Sequence, residues 1–122
     1  MRLEIDAANQ LVRQIRTARS YEDLATLNAS LQAMVAQMQG IDRAEWTLLQ
    51  DMRSARGRND PQFEDAVKRV RPAFAGGFRK VAVLVSTQVG RLQVQRFLEK
   101  SESPSRVFLD EHEATDWLSE RD

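Results

Sequence analysis

Alternating apolar and polar residues predict two strands at the start of the chain. In "RLEI" the apolar residues Leu3 and Ile5 share one face, and "LVRQIRT" repeats the alternation with Leu11 or Val12 and Ile15. The intervening "DAANQ" is short and polar, which favours a tight turn. The two strands are therefore predicted to form an antiparallel hairpin.

Helical periodicity follows the hairpin. Apolar residues recur every three or four positions and form one stripe at Leu24, Leu27, Leu31, Met34, Val35 and Met38. Ser20 is the predicted N-cap of this first helix, and Gly40 is predicted to end it. The next apolar run, "WTLLQDM" at 46–52, is too short for a helix and predicts a buried strand.

A second helix is predicted to begin at Pro61, with Asp60 as its N-cap, because proline is favoured at the first helical position. The run "KVAVLVST" at 80–87 shows little alternation, which is typical of a central parallel strand covered on both faces. A third helix is predicted from about Gly90 to Lys100, and its apolar residues Leu92, Phe97 and Leu98 are expected to face inward.

The last two elements are predicted from "RVFLD", a final strand, and from the capping-box spacing of Asp110 and Glu113 at the head of a fourth helix. Trp117 and Leu118 on that helix are expected to contact the core. The predicted order is ββαβαβαβα. It indicates a single α/β domain over residues 1–122, with a five-stranded mixed sheet whose strands after the hairpin are parallel.

Composition narrows the classes of function. The chain is 42% hydrophobic and 30% charged, and no window holds the ~20 apolar residues of a membrane span. The N-terminus has no apolar stretch of the kind found in signal peptides, so we expect a cytoplasmic protein without membrane insertion. The absence of cysteine excludes disulfides and thiolate chemistry, and the single His112 cannot form a histidine cluster for a metal. We therefore predict no cofactor and no metal, although the composition leaves a site built from carboxylates open.

Three segments, "LLQDMRSARGRNDPQFEDAV", "FRKVAVLVSTQVGRLQVQRF" and "RVFLDEHEATDWL", resemble bacterial STAS/SpoIIAA-like domains across nearly the whole chain. The most telling piece is "VFLDEHEATDWL", a strand ending in Asp-Glu and followed by a capped helix. The resemblance implies a five-stranded α/β domain that acts in regulation or signalling by binding partners, as anti-sigma-factor antagonists, transporter tails or sensor modules do. Some relatives resemble lipid or nucleotide binders, and the group is not enzymatic in general.

The sequence departs from this family where antagonists of the anti-sigma type carry a D-S-S-G-like stretch with a phosphorylatable serine. The corresponding stretch here is "DMRSARGRNDPQF". Ser54 is its only hydroxyl residue and lies six residues before Asp60. Phosphorylation of Ser54 is therefore not expected, and the resemblance implies a relative without the serine switch.

Ligands of parallel sheets gather at the carboxyl ends of strands, which selects two neighbouring loops at 53–60 and 86–91. Guanidinium groups and helix N-termini both favour anions. The candidate residues for binding a partner or an anion are Arg53, Arg56, Arg58, Asn59, Thr87, Gln88 and Arg91. The alternative is structural: the arginines pair with Asp51, Asp60 or Glu64, and the hydroxyls of the second loop cap a helix.

No serine, histidine and carboxylate have a spacing that suggests a catalytic triad, and His112 is expected to be solvated among acidic neighbours. The segment at 53–80, which carries eight basic and three acidic residues, lacks the interleaved exposed aromatic residues of a nucleic-acid site, so we expect no binding of nucleic acid. We therefore predict a non-enzymatic regulatory or protein-interaction module that binds a protein partner, with homo-oligomerisation left open. The alternative is a domain that binds an anionic or lipid-like small molecule.

Overall fold

The computed structural model describes residues 2–15, 24–53, 76–99 and 103–120. These residues form five strands and three helices: β1 (Arg2–Asp6), β2 (Leu11–Ile15), α1 (Leu24–Gln37), β3 (Thr47–Asp51), β4 (Lys80–Leu84), α2 (Gln88–Leu98), β5 (Ser105–Phe108) and α3 (Glu111–Ser119). The predicted helix that begins at Pro61 lies outside the described residues, as do its cap Asp60 and the predicted cap Ser20. The described part therefore contains three of the four predicted helices.

All five strands form one sheet, in which their spatial order follows the chain order. β1 and β2 are antiparallel, and every later neighbouring pair is parallel. The predicted hairpin and the mixed five-stranded sheet are both confirmed. Because β2 to β5 run in the same direction, they end at one side of the sheet, here called the carboxyl edge. The opposite side is called the amino edge.

The sheet has an apolar core on each face. One core contains Val12, Leu48 and Val83 together with Met34 and Met38 from α1 and the residue after it. The other contains Leu11, Leu49 and Leu84 with Ala114 and Leu118 from α3. Leu11 and Val12 thus point to opposite faces, as alternation along a strand requires. β4 is buried at every residue, which confirms the prediction of a strand covered on both faces.

Gly40 follows the end of α1 with a φ of +86°, in the left-handed region that glycine adopts at little cost. This geometry confirms Gly40 as the residue that redirects the chain after the first helix. Within the predicted apolar stripe, Met34 and Met38 are buried and Val35 packs against the same core. The side chains of Leu24, Leu27 and Leu31 lie outside the described set.

The prediction that Leu92 faces inward is wrong. α2 begins at Gln88, and its inward stripe contains Val94, which packs against the core, and buried Leu98. Leu92 precedes Leu98 by six residues, so the two lie on different faces of a helix with 3.6 residues per turn. The Leu92 side chain is 61% exposed. The Phe97 side chain is outside the described set.

Candidate functional site

Arg53 and Asp51 form a bidentate ion pair at the carboxyl end of β3. The guanidinium of Arg53 donates through Nε to Asp51 Oδ1 at 3.1 Å and through Nη2 to Asp51 Oδ2 at 2.9 Å. The backbone N–H of Arg53 also donates to Oδ1, at 3.1 Å. These hydrogen bonds from Arg53 lower the pKa of Asp51, and the same contact raises the pKa of Arg53. Arg53 is therefore held against the strand it follows.

Glu111 at the start of α3 extends this ion pair across the edge. Arg13 of β2 donates from Nη1 to Glu111 Oε1, and Arg53 Nη2 lies 3.7 Å from Glu111 Oε2. The carboxylates of Asp51 and Glu111 thus link β2, β3 and α3 through two guanidinium groups. Asp110, which also attracts Arg53, adds a third carboxylate to the same edge.

This geometry matches the structural alternative for Arg53, because its guanidinium is already paired with carboxylates. An added anion would have to compete with Asp51 and Glu111 for the charge of Arg53. Four residues of the first loop that bear on the prediction, Ser54, Arg56, Arg58 and Asn59, lie outside the described residues, and their binding roles stay predictions.

The second candidate loop begins with a helix cap. Thr87 has an extended backbone, and its Oγ1 accepts a hydrogen bond from Gly90 N–H at 3.0 Å, so it is the N-cap of α2. Gln88, the first helical residue, is exposed. Met52 N–H donates to Leu84 O at 2.9 Å, which holds the chain after β3 beside the end of β4. The described parts of the two loops therefore leave the sheet side by side.

Two large aliphatic side chains are exposed on α2 next to this edge. Val89 is 66% exposed and Leu92 is 61% exposed. They are three residues apart and lie one helical turn from each other. We call Val89 and Leu92 the α2 patch. The spacing of apolar residues in the sequence does not reveal this patch, because it places Leu92 in the core and assigns no face to Val89.

The remaining candidate, Arg91, lies on another side of α2 and lines a groove along β5. This β5 groove has a volume of about 420 Å³. It is lined by β5, by Leu98 and the polar residues Arg91, Gln95 and Glu99 of α2 and its C-cap, and by Glu113 of α3. Arg91 and Arg53 follow neighbouring strands, but Arg91 lines the β5 groove, whereas Arg53 contacts Asp51 and Glu111. The two arginines therefore belong to different surfaces.

His112 occupies the solvated position that the sequence indicates. Its side chain is 83% exposed, and Nε2 lies 3.4 Å from Asp116 Oδ2. Within the described ranges, no three side chains of the histidine, aspartate and glutamate types are grouped as metal ligands. In the same ranges, no helix has the length and apolar character needed to cross a membrane.

Comparisons with known proteins bear on the fold. No protein-family model matches the sequence, and no curated protein matches it. Among solved structures, the crystal structure of an uncharacterized protein of the DUF3478 family from Shewanella loihica PV-4 matches with a TM-score of 0.62. That protein has a SpoIIAA-like fold, and the match covers 88% of this chain and 82% of the other at 16% sequence identity. The chain has a SpoIIAA-like fold.

The SpoIIAA-like fold confirms the architecture that the sequence resemblance implied. It includes the opening hairpin, the parallel strands and the helix after β5 that covers the second face of the sheet. At 16% identity the match concerns the fold alone.

Proposed function

We propose that this SpoIIAA-like domain is a non-enzymatic regulatory module that binds a protein partner at the carboxyl edge, without a serine phospho-switch. The contact surface consists of the α2 patch and the exposed residues beside it, Thr87 and Gln88. The sequence resemblance to STAS/SpoIIAA-like domains, which implies action by binding partners, is the basis of the regulatory part of the proposal. The proposed location is the bacterial cytoplasm.

The observation that carries the proposal is the exposure of Val89 and Leu92. Single exposed apolar residues are ordinary on protein surfaces, but two aliphatic side chains one turn apart form a continuous apolar strip. An amphipathic or extended segment of a partner could cover this strip while polar groups at its rim, including Gln88, remain hydrated. The strip adjoins the edge at which parallel sheets place their binding loops.

The alternative, an anionic or lipid-like ligand, receives less support from the charges of the described residues. At the carboxyl edge the guanidinium groups of Arg13 and Arg53 already face Asp51 and Glu111. The β5 groove is lined by two arginines and two glutamates, so it offers no net positive charge to an anion. A protein partner, which can match mixed charges and an apolar strip, fits these surfaces better.

Affinity capture from the native host with the intact domain, compared with a Val89→Ser/Leu92→Ser variant, tests the proposal. A protein retained by the wild type and lost by the variant is then purified, and its direct affinity for both is measured by calorimetry. We expect the variant to bind at least about tenfold more weakly, because both apolar side chains lose their buried contact area. Equal affinity for both chains would refute the role of the α2 patch.

The matched control is Gln93→Ser on the same helix, which shortens an exposed polar side chain and leaves Val89 and Leu92 in place. We expect it to retain the partner. A thermal-shift screen of the wild type with nucleotides, acyl lipids and inorganic phosphate addresses the alternative, since a ligand that binds only the folded state raises the melting temperature. A large shift with one of these ligands would favour the small-molecule function.

A further inference from the structure

β5 has an open edge in the described part of the chain, where it pairs with β4 alone. Pro104 O and Phe108 O accept hydrogen bonds from Val81 N–H at 2.8 Å and Val85 N–H at 3.0 Å. Successive residues of a strand direct their backbone groups to opposite sides, so the N–H and C=O of Val107 point away from β4. An edge of this kind is a template for another strand.

The polar residues that α2 presents to the β5 groove follow a simple order. Arg91, Gln95 and Glu99 are spaced four residues apart, so they form a single stripe along the helix. α2 runs antiparallel to β5, because it connects two parallel strands. Arg91 therefore lies near the carboxyl edge and Glu99 near the amino edge, with the neutral Gln95 between them.

The stripe and the strand have similar lengths. The eight residue steps from Arg91 to Glu99 rise about 12 Å along a helix, and the three steps of β5 from Ser105 to Phe108 extend about 10 Å along a strand. The middle of the stripe, Gln95, is thus matched to the middle of β5, where Val107 is one of the two central residues. The stripe is positive at its Arg91 end and negative at its Glu99 end, on either side of Gln95.

We propose that a second copy of this chain occupies the β5 groove, with the two β5 strands antiparallel about a two-fold axis at Val107. Val107 exchanges backbone hydrogen bonds with Val107 of the second copy, and the two five-stranded sheets become continuous. The same axis brings Arg91 against Glu99 of the second copy, and Glu99 against its Arg91. The interface is therefore self-complementary.

Opposite charges also meet across the two-fold axis on the other face of the sheet. Arg106 lies on β5 toward the amino edge, and Glu113 lies on α3 near the carboxyl edge, so the two-fold axis turns each toward the other in the second copy. A parallel arrangement would instead place like charges together, which costs free energy. The order of charges along the groove therefore favours a second copy in the antiparallel orientation. An unrelated strand would not require charges arranged with two-fold symmetry.

This inference does not depend on the proposed function. The α2 patch borders the stripe, since Leu92 precedes Gln95 by three residues, but neither Val89 nor Leu92 lines the β5 groove. If the chain does not self-associate, the capture experiment still tests whether the α2 patch binds a partner. If the Val89→Ser/Leu92→Ser variant loses its partner, the mass of the wild type in solution still tests the β5 interface.

Sedimentation velocity and light scattering of the intact chain test the proposal. We expect the wild type to have twice the monomer mass of 14.0 kDa. Arg91→Glu and Glu99→Arg should each weaken the dimer at least about tenfold, because each variant faces two like-charge contacts across the axis. Mixing the two variants should restore a dimer that contains one copy of each, since every contact then joins opposite charges.

Arg96→Glu is the matched control, because it makes the same change of charge on an exposed side of α2 away from the groove. We expect it to remain dimeric. Circular dichroism verifies that each variant is folded, and hydrogen exchange of the Val107 amide should be slower in the wild type than in Arg91→Glu. A monomeric wild type, or variants that stay monomeric when mixed, would overturn the proposal.

Discussion

Gln50 Nε2 donates a hydrogen bond of 2.8 Å to Gln14 Oε1 inside the core of the sheet. Gln50 is 4% exposed and Gln14 is 7% exposed. The parallel register places the two residues opposite each other on β2 and β3, on the face covered by α1 and α2. Gln14 Nε2 lies 3.7 Å from Met34 Sδ, a weak acceptor. Two amides thus replace apolar contacts at the centre of this face.

Gln14→Met should lower the free energy of unfolding by about 1–3 kcal/mol, because the Gln50 amide loses its acceptor where water cannot easily replace it. The double variant Gln14→Met/Gln50→Met removes both amides and keeps side chains of similar length. We expect it to lose less stability than the two single variants summed. Urea denaturation of the four proteins in a double-mutant cycle measures this coupling, and strictly additive losses would contradict it.

The strands could be predicted from sequence because the hydropathy pattern reports which faces of a strand are buried. β4, a run of apolar residues, is buried at every position, and the alternation of β1 and β2 marks the hairpin. Burial of Gln14 and Gln50 could not be predicted in this way, since glutamine is usually exposed and only the pairing of two strands supplies its partner.

The site was less predictable because its contacts join distant parts of the chain. Arg13 and Glu111 are separated by 98 positions and meet only when α3 crosses the sheet. Asp110 could be identified as an N-cap, and capping by a hydroxyl of the second loop, which the structure assigns to Thr87, was the alternative to binding, because capping depends on residues within one helical turn. The face predicted for Leu92 was wrong because the buried face of a short helix depends on where the helix begins and on how the helix lies on the sheet.

Lys80 stabilises the C-terminal end of α3 from the neighbouring strand. Its Nζ donates to Trp117 O at 3.0 Å and to Glu120 O at 2.8 Å, and it lies 5.1 Å from the Trp117 ring centroid. A positive charge is favourable at a helix C-terminus, where backbone carbonyls lack intrahelical donors. Lys80 is 5% exposed, so water cannot fully replace these hydrogen bonds.

We expect Lys80→Met to lower the free energy of unfolding by about 1–3 kcal/mol, because the variant keeps the apolar stem and removes the charged donor. Lys80→Arg retains a positive donor and should lose less. Thermal and urea unfolding followed by circular dichroism measure the difference. Equal losses in the two variants would show that packing of the lysine stem, rather than its hydrogen bonds, stabilises α3.

The contact between Arg53 and Asp51 predicts a specific dependence of stability on acid pH. The pKa of Asp51 is lowered in the folded protein, so Asp51 binds a proton more readily after unfolding. Its contribution is complete above the ordinary aspartate pKa of about 3.9 and is lost as pH falls through the lower folded-state pKa. Asp51→Asn should therefore be less stable than the wild type near neutral pH, and the difference should shrink below about pH 4.

Urea unfolding measured from neutral to acid pH checks this expectation. Asp42→Asn, at an exposed position before β3, is the matched control for removal of a carboxylate. Asp6, whose pKa is lowered mainly by its side-chain hydrogen bond with Asn9, remains in both variants and contributes equally to their acid sensitivity. A stability difference for Asp51→Asn that stays constant into strong acid would contradict the assignment.

Substitutions of Thr87 distinguish a structural role from a binding role at the carboxyl edge. Its Oγ1 accepts the Gly90 N–H and caps α2, the helix that presents Val89 and Leu92. Thr87→Ala should cost about 0.5–2 kcal/mol in stability, because one N–H of the first turn loses its acceptor. Thr87→Ser retains a hydroxyl acceptor and should cost less.

The two variants also show how Thr87 affects partner binding. If its role is capping alone, Thr87→Ser should bind the partner as the wild type does, and Thr87→Ala should lose affinity only as the start of α2 frays. Hydrogen exchange of the first-turn amides, measured beside the affinity, reports that fraying directly. Weaker binding by Thr87→Ser with unchanged exchange at Gly90 would instead indicate that the threonine methyl group itself contacts the partner.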